Sequence, residues 1–177
     1  MSILISARFP IIIVEANEMN ARDDTPMPVA SINAVADYFI RFSREVGDSI
    51  TNLKLQKLVY YAQAWHLALK GERLMPAQFE AWVHGPVCVP LYQRFRRYSW
   101  NPIDESVQAP ELPAEVEKHL REVMEVYGGM SAWDLERLTH AEEPWRIARG
   151  DLPADEPSTA VISDDEMRRF YAARSAA

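Results

Sequence analysis

The chain has 177 residues, 48% of them hydrophobic, enough for a single domain with a real core. Its formal net charge of −7 argues against general affinity for nucleic acid, because phosphate binding needs clustered lysine and arginine. One cysteine, Cys88, excludes an internal disulfide and a multi-cysteine metal site and suits a reducing cytoplasm; no apolar run approaches the length of a membrane span.

In chain order, residues 1–29 stand apart. Phe9–Val14, FPIIIV, is too short for a signal-peptide core; it reads as an added edge strand or as part of an upstream extension absent from the natural product, with Met19 and Met27 as alternative starts. The polar EANEMNARDDTPMP that follows is expected to be flexible, and the ordered domain is expected over 30–175. Ser31 caps a first helix that runs to Ser43 and buries Ile32, Val35, Ala36, Phe39 and Ile40. Gly47-Asp48 turns the chain into the next element.

Thr51–Gly71, TNLKLQKLVYYAQAWHLALKG, is the stretch that organises the rest. Strong helix formers dominate it, Ser49 or Thr51 can cap its start, and Gly71 suits a left-handed stop. Leu55, Leu58, Val59, Ala62, Trp65, His66 and Leu69 share one face, while Tyr60, Tyr61, Ala64, Leu67 and Ala68 fill much of the other. A helix apolar nearly all round is a buried one. Only the first two turns, with Lys54, Gln56 and Lys57, are expected to reach water or a partner. His66 reads as a hydrogen-bonded core residue.

Phe79–Val83, FEAWV, alternates like a short strand, and His84-Gly85-Pro86 reads as a turn from which Pro86 starts a helix over Val87–Tyr98. Trp82 and His84 share a strand face, so WVHGPV is either a joint sealed by Trp82 or a partner-binding edge. Arg94, Arg96 and Arg97 end the helix, as a solvated basic face or a contact surface for an acidic partner. Asn101–Pro113 is a loop, and Ala114–Tyr127 a helix that buries Val116, Leu120 and Val123. Ser131 caps Ala132–His140; Pro144 follows a break, with Trp145 and Ile147 inward. Val161-Ile162 is a short strand suited to pair with Phe79–Val83, and Ser163 with Glu166 matches a capping box for Asp164–Ala173. The tail Ala172–Ala177 reads as frayed. The fold class is mainly α (α+β with a minimal sheet), a single helical domain around a central buried helix, with one or two short strands.

Catalytic signatures are missing from the sequence: no Gly-rich phosphate loop, GxSxG, HExxH or CxxC. The four histidines lie far apart, Cys88 reads as an inert buried thiol, and Glu142-Glu143 read as solvated. No enzyme activity, metal or cofactor is expected. Charge is uneven, however. Between Arg41 and Arg97 nine Lys/Arg stand against four Asp/Glu, and elsewhere ten stand against twenty-two. One basic surface is therefore expected, and the candidate partner-binding residues are Lys54, Lys57, Trp82, His84, Arg94, Arg96 and Arg97.

TNLKLQKLVYYAQAWHLALKGERL, then FEAWVHGPVCVPLY, then LTHAEEPWRIAR and ISDDEMRRFY together resemble the Panacea-domain family, which includes the SocA-like antitoxins. The resemblance covers about Ala30–Tyr171. Leu55, Gln56, Lys57, Tyr60, Gln63 and Trp65 match its helix block. Trp82, His84, Gly85, Pro86 and Val87 match the strand–turn block, and His140, Pro144 and Trp145 the last one. The resemblance implies an antitoxin of a bacterial toxin–antitoxin system, cytoplasmic and without a membrane partner. It would neutralise a cognate toxin protein, acting as a proteolytic adaptor that delivers the toxin to ClpX and the ClpXP protease. Simple sequestration, a nucleic-acid-binding regulator using the basic helix end, and a hydrolase using His84 or His140 are the alternatives; the net charge disfavours nucleic acid as a partner.

Overall fold

The computed structural model describes residues 28–175, so the expectations for Phe9–Val14, Met19, Met27 and Ala176-Ala177 lie outside the described residues. The central helix, α2 (Asn52–Lys70), starts and stops where its caps dictate. Thr51 accepts a hydrogen bond from the Lys54 amide at 3.3 Å, and Gly71 turns left-handed at φ 75°. Every residue from Lys54 to Leu67 is buried. The expected exposure of its first two turns is therefore corrected: Lys54, Gln56 and Lys57 are 7%, 2% and 0% exposed. Their polar ends reach partners on other elements, which removes the penalty that would otherwise keep them at the surface.

Around α2 pack α1 (Ile32–Glu45, capped by Ser31), α4 (Ala114–Val123), α5 (Ala132–Ala141, capped by Ser131) and α7 (Asp164–Ser175), while α6 (Glu143–Arg149) packs on α5, α7 and the sheet. Burying each large apolar side chain, such as Phe39, Leu55 or Leu58, contributes about 1.5–3 kcal/mol. α4 passes into a π turn, Met124–Gly128, which carries Tyr127 to a face-to-face stack on Tyr61 with centroids 4.0 Å apart. α7 contributes Met167 and Tyr171, both 0% exposed, to the side of α2 that bears Tyr60, Tyr61 and Trp65. It runs past the expected end at Ala173, so Ala172–Ser175 is helical rather than frayed. Ser163 accepts from the Asp165 amide at 3.2 Å, while Glu166 pairs with Arg169 instead of closing a capping box.

The sheet has three antiparallel strands in the order β2-β1-β3: β1 (Phe79–Trp82), β2 (Gly85–Val87) and β3 (Val161–Ile162). The anticipated pairing with Val161-Ile162 is present, Phe79 opposite Ile162. β2 is a correction: residues 85–87 extend back along β1, with Trp82 opposite Gly85, and the turn is Val83-His84. The following helix, α3 (Val89–Phe95), starts at Val89 with Pro90 in its first turn, and a 3₁₀ turn covers Arg96–Tyr98. The reason lies on α2. Gln56 Oε1 accepts from the Cys88 amide at 2.8 Å and Lys57 Nζ donates to the Pro86 carbonyl at 3.1 Å, which holds this segment extended. Pro90, rather than Pro86, then supplies the preset helical dihedral. On α6, Trp145 and Arg149 turn inward one helical turn apart, so Ile147 between them is 49% exposed rather than buried.

Candidate partner-binding face and the polar joint beneath it

Lys57 is the centre of a buried polar joint. Its ammonium touches the Pro86 carbonyl, and Gly85 lies against its stem. A Cβ at Gly85 would stand 2.7 Å from both Lys57 Cε and Thr139 Oγ1, and the backbone there has φ +90°. Only glycine fits both the dihedral and the space. From α5, Glu136 is 6% exposed and places Oε1 3.1 Å from His84 Nδ1 at the hairpin turn, and the Thr139 hydroxyl donates to the Glu136 carbonyl at 2.9 Å. Glu136 Oε2 and His140 Nε2 are buried without hydrogen-bond partners. Burial holds the Lys57 ammonium down at about 7, opposed by the charge of Glu136. Burial also lowers His140, whose ring stacks on Trp145 with centroids 4.1 Å apart. Trp145 Nε1 donates to the Trp82 carbonyl at 3.0 Å and Arg149 to the Ala81 carbonyl at 2.9 Å, so α6 grips β1 beyond the end of β3.

A second polar cluster ties α7 to the core. Glu142 is only 4% exposed, which corrects its reading as a solvated acid; Glu143 beside it is exposed. Glu142 Oε2 accepts from Tyr171 at 2.6 Å and from Tyr61 at 3.2 Å. Burial pushes this carboxyl up to about 7, against the lowering effect of Tyr171, Arg174 and Tyr61. Burial likewise raises the phenols of Tyr60, Tyr61 and Tyr171 well above their ordinary value.

The surface above the joint is aromatic. His84 is half-exposed and meets the Trp100 ring edge-on at 5.6 Å. Trp100 is 67% exposed and Trp133 is 64% exposed. Trp133 lies one turn before Glu136, the residue that holds His84, so α5 presents it beside the hairpin. Trp82 packs on Tyr92 at 5.0 Å and donates to Glu80 at 2.7 Å. Of the seven residues named from sequence, Trp82 and His84 belong to this face and Arg96 and Arg97 are exposed nearby. Lys57 lies beneath it, and Lys54 is tied to Asp48 at 2.9 Å. Arg94 is committed to Asp37 and Glu105, both at 2.7 Å, and Arg97 to Glu105 at 2.7 Å, so Arg96 is the cation of the cluster without an ion pair among the described residues. Sequence reasoning missed Trp100, Trp133 and Glu136. The Trp133, Glu136, His140 spacing, one helical face, was the available signal.

The family model for Antitoxin SocA-like, Panacea domain, matches residues 55–146, about half the chain. The chain belongs to this family. Antitoxin SocA of Caulobacter vibrioides (strain NA1000 / CB15N) is 30% identical over 127 residues, spanning 64% of this chain and 68% of the relative. No solved structure gives a significant match. The matched Panacea segment begins at the joint and ends beside it: Leu55 precedes Gln56 and Lys57, and Arg146 follows Trp145. The blocks that are distant in the Panacea sequence meet here, which explains their residue types. Gln56 and Lys57 hold β2 and the residue after it, Gly85 makes room for Lys57, and Trp145, with His140 stacked on it, holds β1. β3 and α7, which complete the core, lie beyond the matched span. Among the described residues no helix is long and apolar enough to cross a membrane, and no cluster of three His, Cys, Asp or Glu is arranged to hold a metal ion.

Proposed function

We propose that this Panacea-domain protein is a non-catalytic cytoplasmic antitoxin that neutralises a cognate toxin protein, docking it on the face formed by Trp100, Trp133 and His84. The observation that carries the docking assignment is the pair of largely exposed tryptophans beside a histidine held from below by Glu136. Tryptophan is among the side chains most enriched at the hot spots of protein interfaces. The further role is that of a proteolytic adaptor delivering the bound toxin to ClpXP; tethering raises the toxin's effective concentration at the protease without any catalytic group in the adaptor. A nucleic-acid-binding regulator is less well supported, because Asp37 and Glu105 already neutralise Arg94 and Arg97.

The test is co-expression with the protein encoded by the adjacent reading frame, followed by co-purification and measurement of that partner's half-life. Capture with a shortened half-life supports the adaptor, and capture with an unchanged or longer half-life replaces it with sequestration. Trp100→Ala with Trp133→Ala is expected to weaken capture at least about tenfold while leaving the melting temperature unchanged. Unchanged capture would remove the docking assignment.

A further inference from the structure

Next to the joint, α6, the loop after it and α7 border a groove of about 640 Å³ that His140 and Trp145 also line. Three arginines line it, Arg146 and Arg149 from α6 and Arg169 from α7, together with His140, against one acidic lining residue, Glu143. On a chain of net charge −7 this is a local reversal of sign. Arg149 is 4% exposed. Its terminal nitrogens are spent on the carbonyls of Ala81, Pro153 and Glu156, at 2.9, 2.6 and 2.6 Å, which shapes the loop wall. Its Nε, however, is buried without a hydrogen-bond partner, and so is His140 Nε2. Both atoms are closed to solvent, so a molecule in the groove meets Arg149 only through the wall that it shapes. Among the described residues Arg146 is exposed and makes no ion pair, while Arg169 pairs only with the partly buried Glu166. The remaining wall is apolar: Ile147 and Leu152, 49% and 44% exposed, face solvent on the same groove.

We infer that this groove binds a small phosphate-bearing molecule, with Arg146 and Arg169 gripping the phosphate, the wall shaped by Arg149 beneath them, and an apolar or aromatic moiety lying on Ile147 and Leu152. Guanidinium forks match phosphate oxygens two at a time, and the volume falls within the usual range of small-molecule sites. The assignment is independent of the toxin-docking face.

The experiment is calorimetric titration of the full chain with inorganic phosphate and, separately, with adenosine monophosphate at physiological salt, repeated on Arg146→Glu/Arg169→Glu. Both substitutions are at exposed side chains, and a melting curve confirms that the variant is folded. Binding of either probe to the wild type, weakened at least tenfold in the variant, is the expected result. Tighter binding of the nucleotide than of phosphate assigns a role to the apolar wall, and equal binding confines recognition to the phosphate group. Absence of binding by both probes, or binding that the variant retains in full, overturns the inference.

Discussion

Replacing Glu142 by glutamine separates the charge of this buried group from its shape. Glutamine keeps an oxygen where Tyr171 and Tyr61 donate, at 2.6 and 3.2 Å in the native protein, but it cannot ionise. In the unfolded chain the carboxyl titrates at its ordinary 4.5, whereas in the fold it titrates at about 7. Between those values the folded protein holds a proton that the unfolded chain has released. Stability from this group is therefore complete below pH 4.5 and is lost as the pH rises through about 7. At about 1.4 kcal/mol per pH unit the whole effect is about 3 kcal/mol. Urea unfolding of both proteins at pH 5 and pH 8 measures it, because groups common to both cancel in the difference. The stability of the wild type relative to Glu142→Gln is expected to fall by about 2.5 kcal/mol between the two pH values, since pH 5 already lies a little inside the window. Parallel pH profiles would refute the assignment of Glu142 as a buried carboxyl that ionises at a cost.

Three further perturbations probe the joint and the basic helix end. Lys57→Met removes a lysine whose folded value of about 7 lies below its ordinary 10.5; the unfolded chain binds the extra proton between the two, so the penalty is complete below pH 7 and gone above pH 10.5. The variant is expected to be about 3 kcal/mol more stable at pH 6, the lost bond to Pro86 offsetting part of the gain, with no gain above pH 10.5 by the same unfolding assay. Gly85→Ala meets Lys57 and Thr139 at 2.7 Å from a positive φ and is expected to cost about 2–4 kcal/mol in urea unfolding; a loss under about 1 kcal/mol would mean that the joint is looser than described. Arg94→Glu sets a third carboxylate beside Asp37 and Glu105 and is expected to lower stability by about 2 kcal/mol or more, whereas Arg96→Glu stays within about 0.5 kcal/mol; the second variant, read by association rate, therefore isolates any electrostatic contribution to toxin capture.

Much of the architecture was legible because its determinants are local. Thr51 and Gly71 bound α2 through their own cap geometry, Ser31 and Ser131 do the same for α1 and α5, and alternation marks β1. What escaped depends on partners far along the chain. Lys57 looks like a surface lysine until the Pro86 carbonyl, 29 residues away, is beside it, and Glu142 looks like a surface acid until Tyr61 and Tyr171 converge on it. Ile147 sits among apolar neighbours in sequence, but the inward positions of α6 belong to Trp145 and Arg149, each bonded to β1. Of the aromatic face, Trp82 closes the alternating strand but His84 stands in the turn after it rather than on a shared strand face, and Trp100 follows a 3₁₀ turn and left-handed Ser99 that no periodicity announces.

The docking of α7 has a consequence for how the protein is made. Tyr171 and Met167 fill the side of α2 that carries Tyr60, Tyr61 and Trp65, yet about 90 residues separate the two helices along the chain. On a ribosome adding about 5–20 residues per second, α2 emerges several seconds or more before the helix that covers it. During that interval the band of tyrosine and tryptophan lacks the part of its native cover that Met167 and Tyr171 supply. A nascent chain stalled before Asp164 would expose it indefinitely, so holdase chaperones and quality-control proteases should favour such chains over the finished product.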